Sequence, residues 1–160
     1  MDRDQPPTAD AAAPGEVTIR DVRESDLPIL FEHQRDPEGS AMAAFTPRDH
    51  DAFMAHWRKI LSDPACVART VELDGTVAGN IGSFELEGRR EVGYWIDRAL
   101  WGRGVGTRAL AAFLREAETS RPLFAGVAPH NAGSMRVLEK CGFSRTGEIS
   151  EDGHVTFRLG

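Results

Sequence analysis

The residues most specifically spaced for chemistry are Gly102, Gly104 and Gly106, which alternate with Arg103 and Val105 and are followed by Thr107. They stand between an apolar run ending near Asp97 and the amphipathic stretch 105–117. A strand, a glycine loop and a helix N-terminus in that order form an anion cradle. The first N–H groups of a helix have no partner within it, and the aligned peptide dipoles leave roughly half a positive charge there. Glycines allow φ > 0 and a close approach to the backbone, so the loop suits a pyrophosphate. Arg103 and Arg108 add cations beside it. Two better-known cradles are excluded. No Gly-Lys-Ser/Thr completes a P-loop, and G-x-G-x-G after a fourth strand is not the G-x-G-x-x-G that follows a first strand in dinucleotide-binding folds. The same glycines also fit a plain structural turn that permits tight packing.

The elements that must position this loop are legible from periodicity. Residues 16–22 alternate and predict a first strand. Ser25 is the predicted N-cap of a first helix, with Pro28 in its first turn and Leu27, Leu30 and Phe31 on its apolar face. A loop is predicted over 38–45 and a second helix over 48–61, where Phe53, Trp57, Ile60 and Leu61 recur at helical spacing. Strands follow at 66–73, 77–86 and 91–97, with Asp74-Gly75 as a hairpin turn and Gly88, Arg89 and Arg90 as another. The continuous apolar middle of the fourth strand predicts cover on both faces. After the glycine loop come a helix, a buried strand at 123–128, a short helix at 134–140 ended by Gly142, and a final hairpin of 143–148 and 154–159. The order gives an α/β (α+β) fold, a mixed sheet of about seven strands with helices on its faces.

Length and composition agree with this. The chain has 160 residues, enough for one domain with a real core, and 41% are apolar and 28% charged. Residues 1–15, rich in Pro and Ala, predict a disordered tail, and 16–160 a single domain. The net charge of -6 argues against a general nucleic-acid binder. Cys66 and Cys141 form neither a disulfide framework nor a CxxC zinc site, and no metal site is expected. No apolar run approaches the ~20 residues that span a bilayer, and the N-terminus lacks a secretory pattern, so the expected setting is the cytoplasm with no membrane partner.

The loop resembles the GNAT superfamily of N-acetyltransferases, whose acyl-CoA signature Q/R-x-x-G-x-G/A lies at the strand-to-helix junction after the fourth strand. The matching stretch is Trp101-Gly102-Arg103-Gly104-Val105-Gly106, with Trp101 where Gln or Arg is usual. The preceding Gly93-Tyr94-Trp95-Ile96-Asp97 and the Trp101-Gly102 pair are most similar to the branch of ribosomal-protein alanine N-acetyltransferases. A second motif supports the first: Asn131, Ser134, Glu139, Lys140, Gly142 and Phe143 match that branch's N-x-x-S-x-x-hydrophobic-x-E-K-x-G-F. The resemblance runs from Val17 to the C-terminus in element order and is specific over 91–107 and 130–143.

The resemblance implies a GNAT fold with helices on both faces of the sheet and a splay between the fourth and fifth strands. It implies acetyl-CoA as cosubstrate and transfer of its acetyl group to a primary amine, a protein N-terminus or a small molecule, by direct attack in a ternary complex. Ser134 aligns with a serine placed near the thioester sulfur and is the candidate general acid; as a residue at a helix start it also fits a simple cap. The usual tyrosine acid has no equivalent in the last helix, since the one tyrosine is Tyr94 in the fourth strand. Glu91 aligns with an acidic residue that some relatives use as base, directly or through water, and it also fits a surface pair with Arg89 or Arg90. Cofactor contacts are implied for Trp95, Ile96 and Asp97 through their backbone, for Trp101, Gly102, Arg103, Gly104, Val105, Gly106 and Thr107 at the pyrophosphate, and for Asn131 and Ser134. Asn131 also fits an Asx turn, and His130 is a possible proton relay or a solvated loop residue. Trp57, Trp95 and Trp101 are candidates for the acceptor cleft, with core packing expected of at least one. Other readings of the same residues are a non-catalytic acyl-CoA-binding sensor and a partner-binding domain with a structural loop. Monomer and homodimer both fit.

Overall fold

The computed structural model describes residues 15–160. The predicted tail lies outside the described residues, except for Gly15. The elements are β1 (Val17–Asp21), α1 (Leu27–Arg35), α2 (Pro37–Met42), α3 (His50–Ser62), β2 (Val67–Leu73), β3 (Thr76–Leu86), β4 (Arg89–Ile96), α4 (Val105–Glu116), β5 (Leu123–Val127), α5 (Ala132–Lys140), β6 (Ser144–Ile149) and β7 (Val155–Leu159). One seven-stranded sheet has the order β1-β2-β3-β4-β5-β7-β6. Among the described residues its only parallel pair, β4 with β5, meets at a single register position, Glu91 opposite Phe124. Beyond that position the strands part. This is the splay between the fourth and fifth strands that the resemblance implies.

Alternation along the strands divides the side chains between two cores. One face carries Val71, Ile81, Val92, Ile96 and Phe157, which pack on Val105, Ala109, Leu110 and Phe113 of α4 and Leu138 of α5. The other face is covered by Leu27 and Leu30 of α1 and Phe53 and Trp57 of α3. That cover does not extend along the whole of β4. Trp95 lies edge-on to Phe45 with ring centroids 5.3 Å apart, while Gly93 is exposed. The predicted cover on both faces therefore holds only at the Trp95 end, and the sheet is bare on one side where the splay begins.

Two local predictions are corrected. The segment 38–45 is not a plain loop, because it begins with the helical turn α2. Asp36 supplies the cap, its carboxylate accepting from the Gly39 N–H at 2.8 Å; Pro37 occupies the first turn, and the Ser40 hydroxyl donates to the Gln34 carbonyl at 2.8 Å. Ser25 is not the cap of α1. It sits inside a 3₁₀ turn, and the buried Asp26 fixes the entry by accepting from the Arg23 N–H at 2.8 Å and from both Nη atoms of Arg20. Elsewhere the turns follow their sequence signals. Asp74-Gly75 and Glu87-Gly88 both adopt left-handed φ, and Arg89 and Arg90 already belong to β4. Gly142, with φ +95, ends α5, and the Phe143 N–H returns to the Leu138 carbonyl at 3.0 Å.

Candidate active site

The glycine loop leaves β4 at Asp97, passes a 3₁₀ turn (Arg98–Leu100), and enters α4 at Val105. Gly102 and Gly104 have φ of +79 and +76, a region that strains other residues. Gly104 is the N-cap and offers no side chain, so no side chain caps the amides of α4. Those donors face a cleft of about 650 Å³ between the ends of β4, α4, α5 and α2. An uncapped twelve-residue helix opening on a cleft fits a pyrophosphate, the group that the acyl-CoA implied by the resemblance would bring.

Of the residues predicted to hold the cofactor, Trp95, Ile96, Trp101, Gly102, Gly104, Val105, Gly106, Thr107, Asn131 and Ser134 line this cleft. Asp97 and Arg103 do not. The Asp97 carboxylate accepts from the Ala99 N–H and lies 3.7 Å from Nε2 of His33, turned toward α1; Arg103 is exposed. Arg108, expected beside the phosphates, donates instead to the carbonyls of Gly104 and Arg103 at 3.2 and 3.0 Å and braces the loop from behind. The cations that line the cleft are Arg136 and Lys140, one turn apart on α5. Trp101 turns its indole N–H to the Ile96 carbonyl at 3.0 Å, so this backbone acceptor of β4 is engaged within the chain. Trp95 and Trp101 thus border the cleft, and Trp57 is the core tryptophan.

At the inner end of the cleft, Asn131 caps α5, its amide oxygen accepting from the Ser134 N–H at 3.1 Å. Ser134 is therefore not the cap, and its hydroxyl is free for another partner. That partner is Tyr94, whose hydroxyl lies 2.8 Å from Ser134 Oγ and 3.3 Å from the Ser134 carbonyl. Burial pushes the Tyr94 phenol up to about 12, so it stays protonated at neutral pH. Tyr94 is in a strand and not in the last helix, so no sequence signal links it to Ser134; only the fold brings the two together. His130 donates from Nε2 to the Ala41 carbonyl at 2.8 Å and ties the β5–α5 loop to α2.

A second cavity, of about 130 Å³, occupies the splay itself. It shares Ala43, Tyr94, Asn131 and Ser134 with the larger cleft and reaches Gly93 on β4 and Gly126 on β5. Glu91 stands at the vertex, where β4 and β5 still pair, and lines neither cavity. Alternation puts it on the sheet face opposite Tyr94. Its carboxylate lies 3.8 Å from Nη2 of Arg89, which in turn holds Glu148 at 3.0 Å. Burial pushes the Glu91 carboxyl above its ordinary value, against the opposing pull of Arg89. Among the described residues no group of His, Cys, Asp or Glu is placed to hold a metal ion, and no helix is long and apolar enough to cross a membrane.

Comparison with known proteins gives this geometry a family. Residues 16–144 match the model of the acetyltransferase (GNAT) domain. The probable N-acetyltransferase YjcK of Bacillus subtilis is 44% identical over 59 residues, 35% of this chain and 33% of that protein, so this match spans about a third of the relative's length. The uncharacterized N-acetyltransferase p20 of Bacillus licheniformis is 26% identical over 148 residues, 84% of this chain and 83% of that one. Among solved structures, the aminoglycoside acetyltransferase AAC(6')-Ib in complex with coenzyme A superposes with a TM-score of 0.74 at 21% identity, over 89% of this chain and 93% of that one. The spermidine N-acetyltransferase of Vibrio cholerae in complex with CoA and spermine does so with 0.76 at 18%, over 89% and 92%. The chain belongs to the GNAT family of acetyl-CoA-dependent N-acetyltransferases.

Proposed function

We propose that the protein transfers the acetyl group of acetyl-CoA to a primary amine by direct attack, with both substrates bound at once. The observation that carries this is the joining of the two cavities at the Tyr94–Ser134 pair. The larger cleft, with the uncapped end of α4 and with Arg136 and Lys140, would hold the pyrophosphate and pantetheine. When bound, acetyl-CoA supplies a thioester carbonyl for attack and a sulfur that leaves. Ser134 Oγ holds a proton where that sulfur would sit, and the Tyr94 hydroxyl stands behind it in the same hydrogen-bonded pair. Asn131 fixes the start of α5 and with it the place of Ser134. Glu91 lies outside both cavities, so it would reach an acceptor amine only through water.

The acceptor enters from the bare sheet face, through the gap between Gly93 and Gly126. Two structural neighbours are an aminoglycoside acetyltransferase and a spermidine N-acetyltransferase, enzymes named for cationic acceptors, and this chain carries a net charge of -6. That balance supports a cationic small-molecule amine, with a protein N-terminus as the second acceptor class to be measured. Reduced Cys66 and Cys141 are consistent with a cytoplasmic site of action. The test is thiol release from acetyl-CoA against spermidine, kanamycin and a peptide with N-terminal alanine. Release that depends on at least one amine is expected. Tight acetyl-CoA binding without release on any amine would instead make the protein a sensor of acyl-CoA.

A further inference from the structure

We propose that His154, held by Asp152 in the β6–β7 turn, is the group that takes the proton from the acceptor amine. The inference rests on the acetyl-transfer reading above. An alkyl ammonium group has a pKa of about 10.4 and an α-amino group about 7.7–8.0, so at neutral pH the first must shed a proton before its lone pair can attack. The acceptor must be deprotonated in or beside the splay, since that cavity adjoins Ser134. Of the described residues lining it, two carry titratable side chains, Tyr94 and His154. Tyr94 keeps its proton and sits on the leaving-group side with Ser134. Imidazole is the side chain suited to accept a proton near pH 7.

The local structure orients the ring. The turn is closed by the His154 N–H donating to Ser150 Oγ at 3.0 Å and the Ser150 N–H donating to the His154 carbonyl at 2.9 Å. The Ser150 hydroxyl also donates to the Asp152 carboxylate. Asp152 Oδ1 then lies 3.0 Å from Nδ1 of His154, an ion-pair separation, while Nδ1 is buried and makes no aligned hydrogen bond. The carboxylate favours the proton on Nδ1 and leaves the lone pair on Nε2. The Cβ of His154 lies against Gly126 of β5, where a side chain at 126 would come within 3.7 Å, so the ring stands at the edge of the gap.

The proton count closes. The ammonium gives one proton to Nε2 of His154 and becomes the free amine. The amine nitrogen bonds to the acetyl carbon as the carbon–sulfur bond breaks, with its electron pair leaving on sulfur. The second proton, lost from nitrogen as the amide forms, returns through water to Ser134 Oγ and replaces the one that Ser134 passes to sulfur, and His154 returns its proton to water.

The experiment compares H154Q, H154A, D152N and E91Q with the wild type in the thiol-release assay, with acetyl-CoA affinity followed by thermal shift. For H154Q at pH 7, kcat/KM on spermidine is expected to fall by about 100-fold or more. The loss should be smaller on the peptide α-amine and should shrink as pH rises from 7 to 9, while the acetyl-CoA shift is retained. Added imidazole should restore part of the H154A rate. D152N, which keeps the ring, should lose about tenfold, and E91Q less than H154Q. If H154Q does not fold, D152N and imidazole rescue of H154A decide. A rate for H154Q within threefold of wild type overturns the proposal, as does a loss equal on every amine and unrelieved by pH or imidazole. Absence of amine-dependent release by the wild type would instead overturn the transfer reading itself.

Discussion

The hydroxyl of Tyr94 lies 2.8 Å from Oγ of Ser134, joining the fourth strand to the start of the last helix at the point where the two cavities meet. A phenol raised to about 12 does not ionise below pH 10, so the pair retains its protons across the working range. S134A and Y94F should each lower kcat more than they raise either KM, by about 10- to 100-fold. Because neither hydroxyl ionises there, the loss should be the same at pH 6.5 and pH 9. Steady-state kinetics at the two values checks this, and a loss that vanishes at one of them would mean an ionising group was removed.

Arg136 and Lys140 line the larger cleft, and Arg103 and Arg108 do not. R136A and K140A should each raise the KM for acetyl-CoA by about tenfold with kcat little changed, because a contact to a remote phosphate is made equally in ground and transition states. R103A should leave KM for acetyl-CoA within twofold. Titration of thermal stability with acetyl-CoA gives the same ranking independently of turnover.

Much of this arrangement is local in sequence and was legible there. The turn at Asp74-Gly75, the left-handed Gly102 and Gly104 and the Gly142 stop each follow from one or two residues of the types that tolerate positive φ. What escaped was set by tertiary pairing. Tyr94 and Ser134 are forty residues apart and meet only because β4 and α5 flank the splay. His154 reaches Gly126 only because β7 inserts between β5 and β6. The short α2 depends on the Asp36 cap and on Ser40 reaching the Gln34 carbonyl, which six residues of weak periodicity do not announce. Arg108 does not line the cleft, because its guanidinium reaches the loop's own carbonyls at Gly104 and Arg103.

Cys141 is half-buried, burial pushes its thiol up, and Sγ donates to the Thr107 carbonyl at 3.6 Å, joining α5 to α4. A thiol held protonated in this way is a poor nucleophile. C141A should keep more than half of the wild-type kcat, measured beside its melting temperature. Loss of turnover in a fully folded variant would assign Cys141 a chemical role.

Asp26 is buried and accepts from both Nη atoms of Arg20 and from the Thr70 hydroxyl at 2.7 Å. The Arg20 guanidinium holds its carboxyl well below the usual carboxylate range. A folded-state pKa below the unfolded value of about 3.9 means the stabilisation is complete above that value and is lost as pH falls toward the folded pKa. D26N should cost about 3–5 kcal/mol at pH 7, since it leaves Arg20 without its main partner. Urea unfolding of wild type and D26N at pH 7 and pH 3 should show the gap narrowing at the lower pH; a constant gap would mean that charge is not its source.

Direct transfer in a ternary complex is tested by initial velocities of thiol release over a grid of acetyl-CoA and acceptor amine concentrations, with the enzyme's intact mass read after incubation with acetyl-CoA alone. The joined cavities, and a half-buried Cys141 whose thiol burial pushes up, support the proposal that both substrates are present together. The expected result is a family of intersecting double-reciprocal lines and an unchanged protein mass. Parallel lines with an acetylated protein, or thiol release indifferent to the amine, would contradict it.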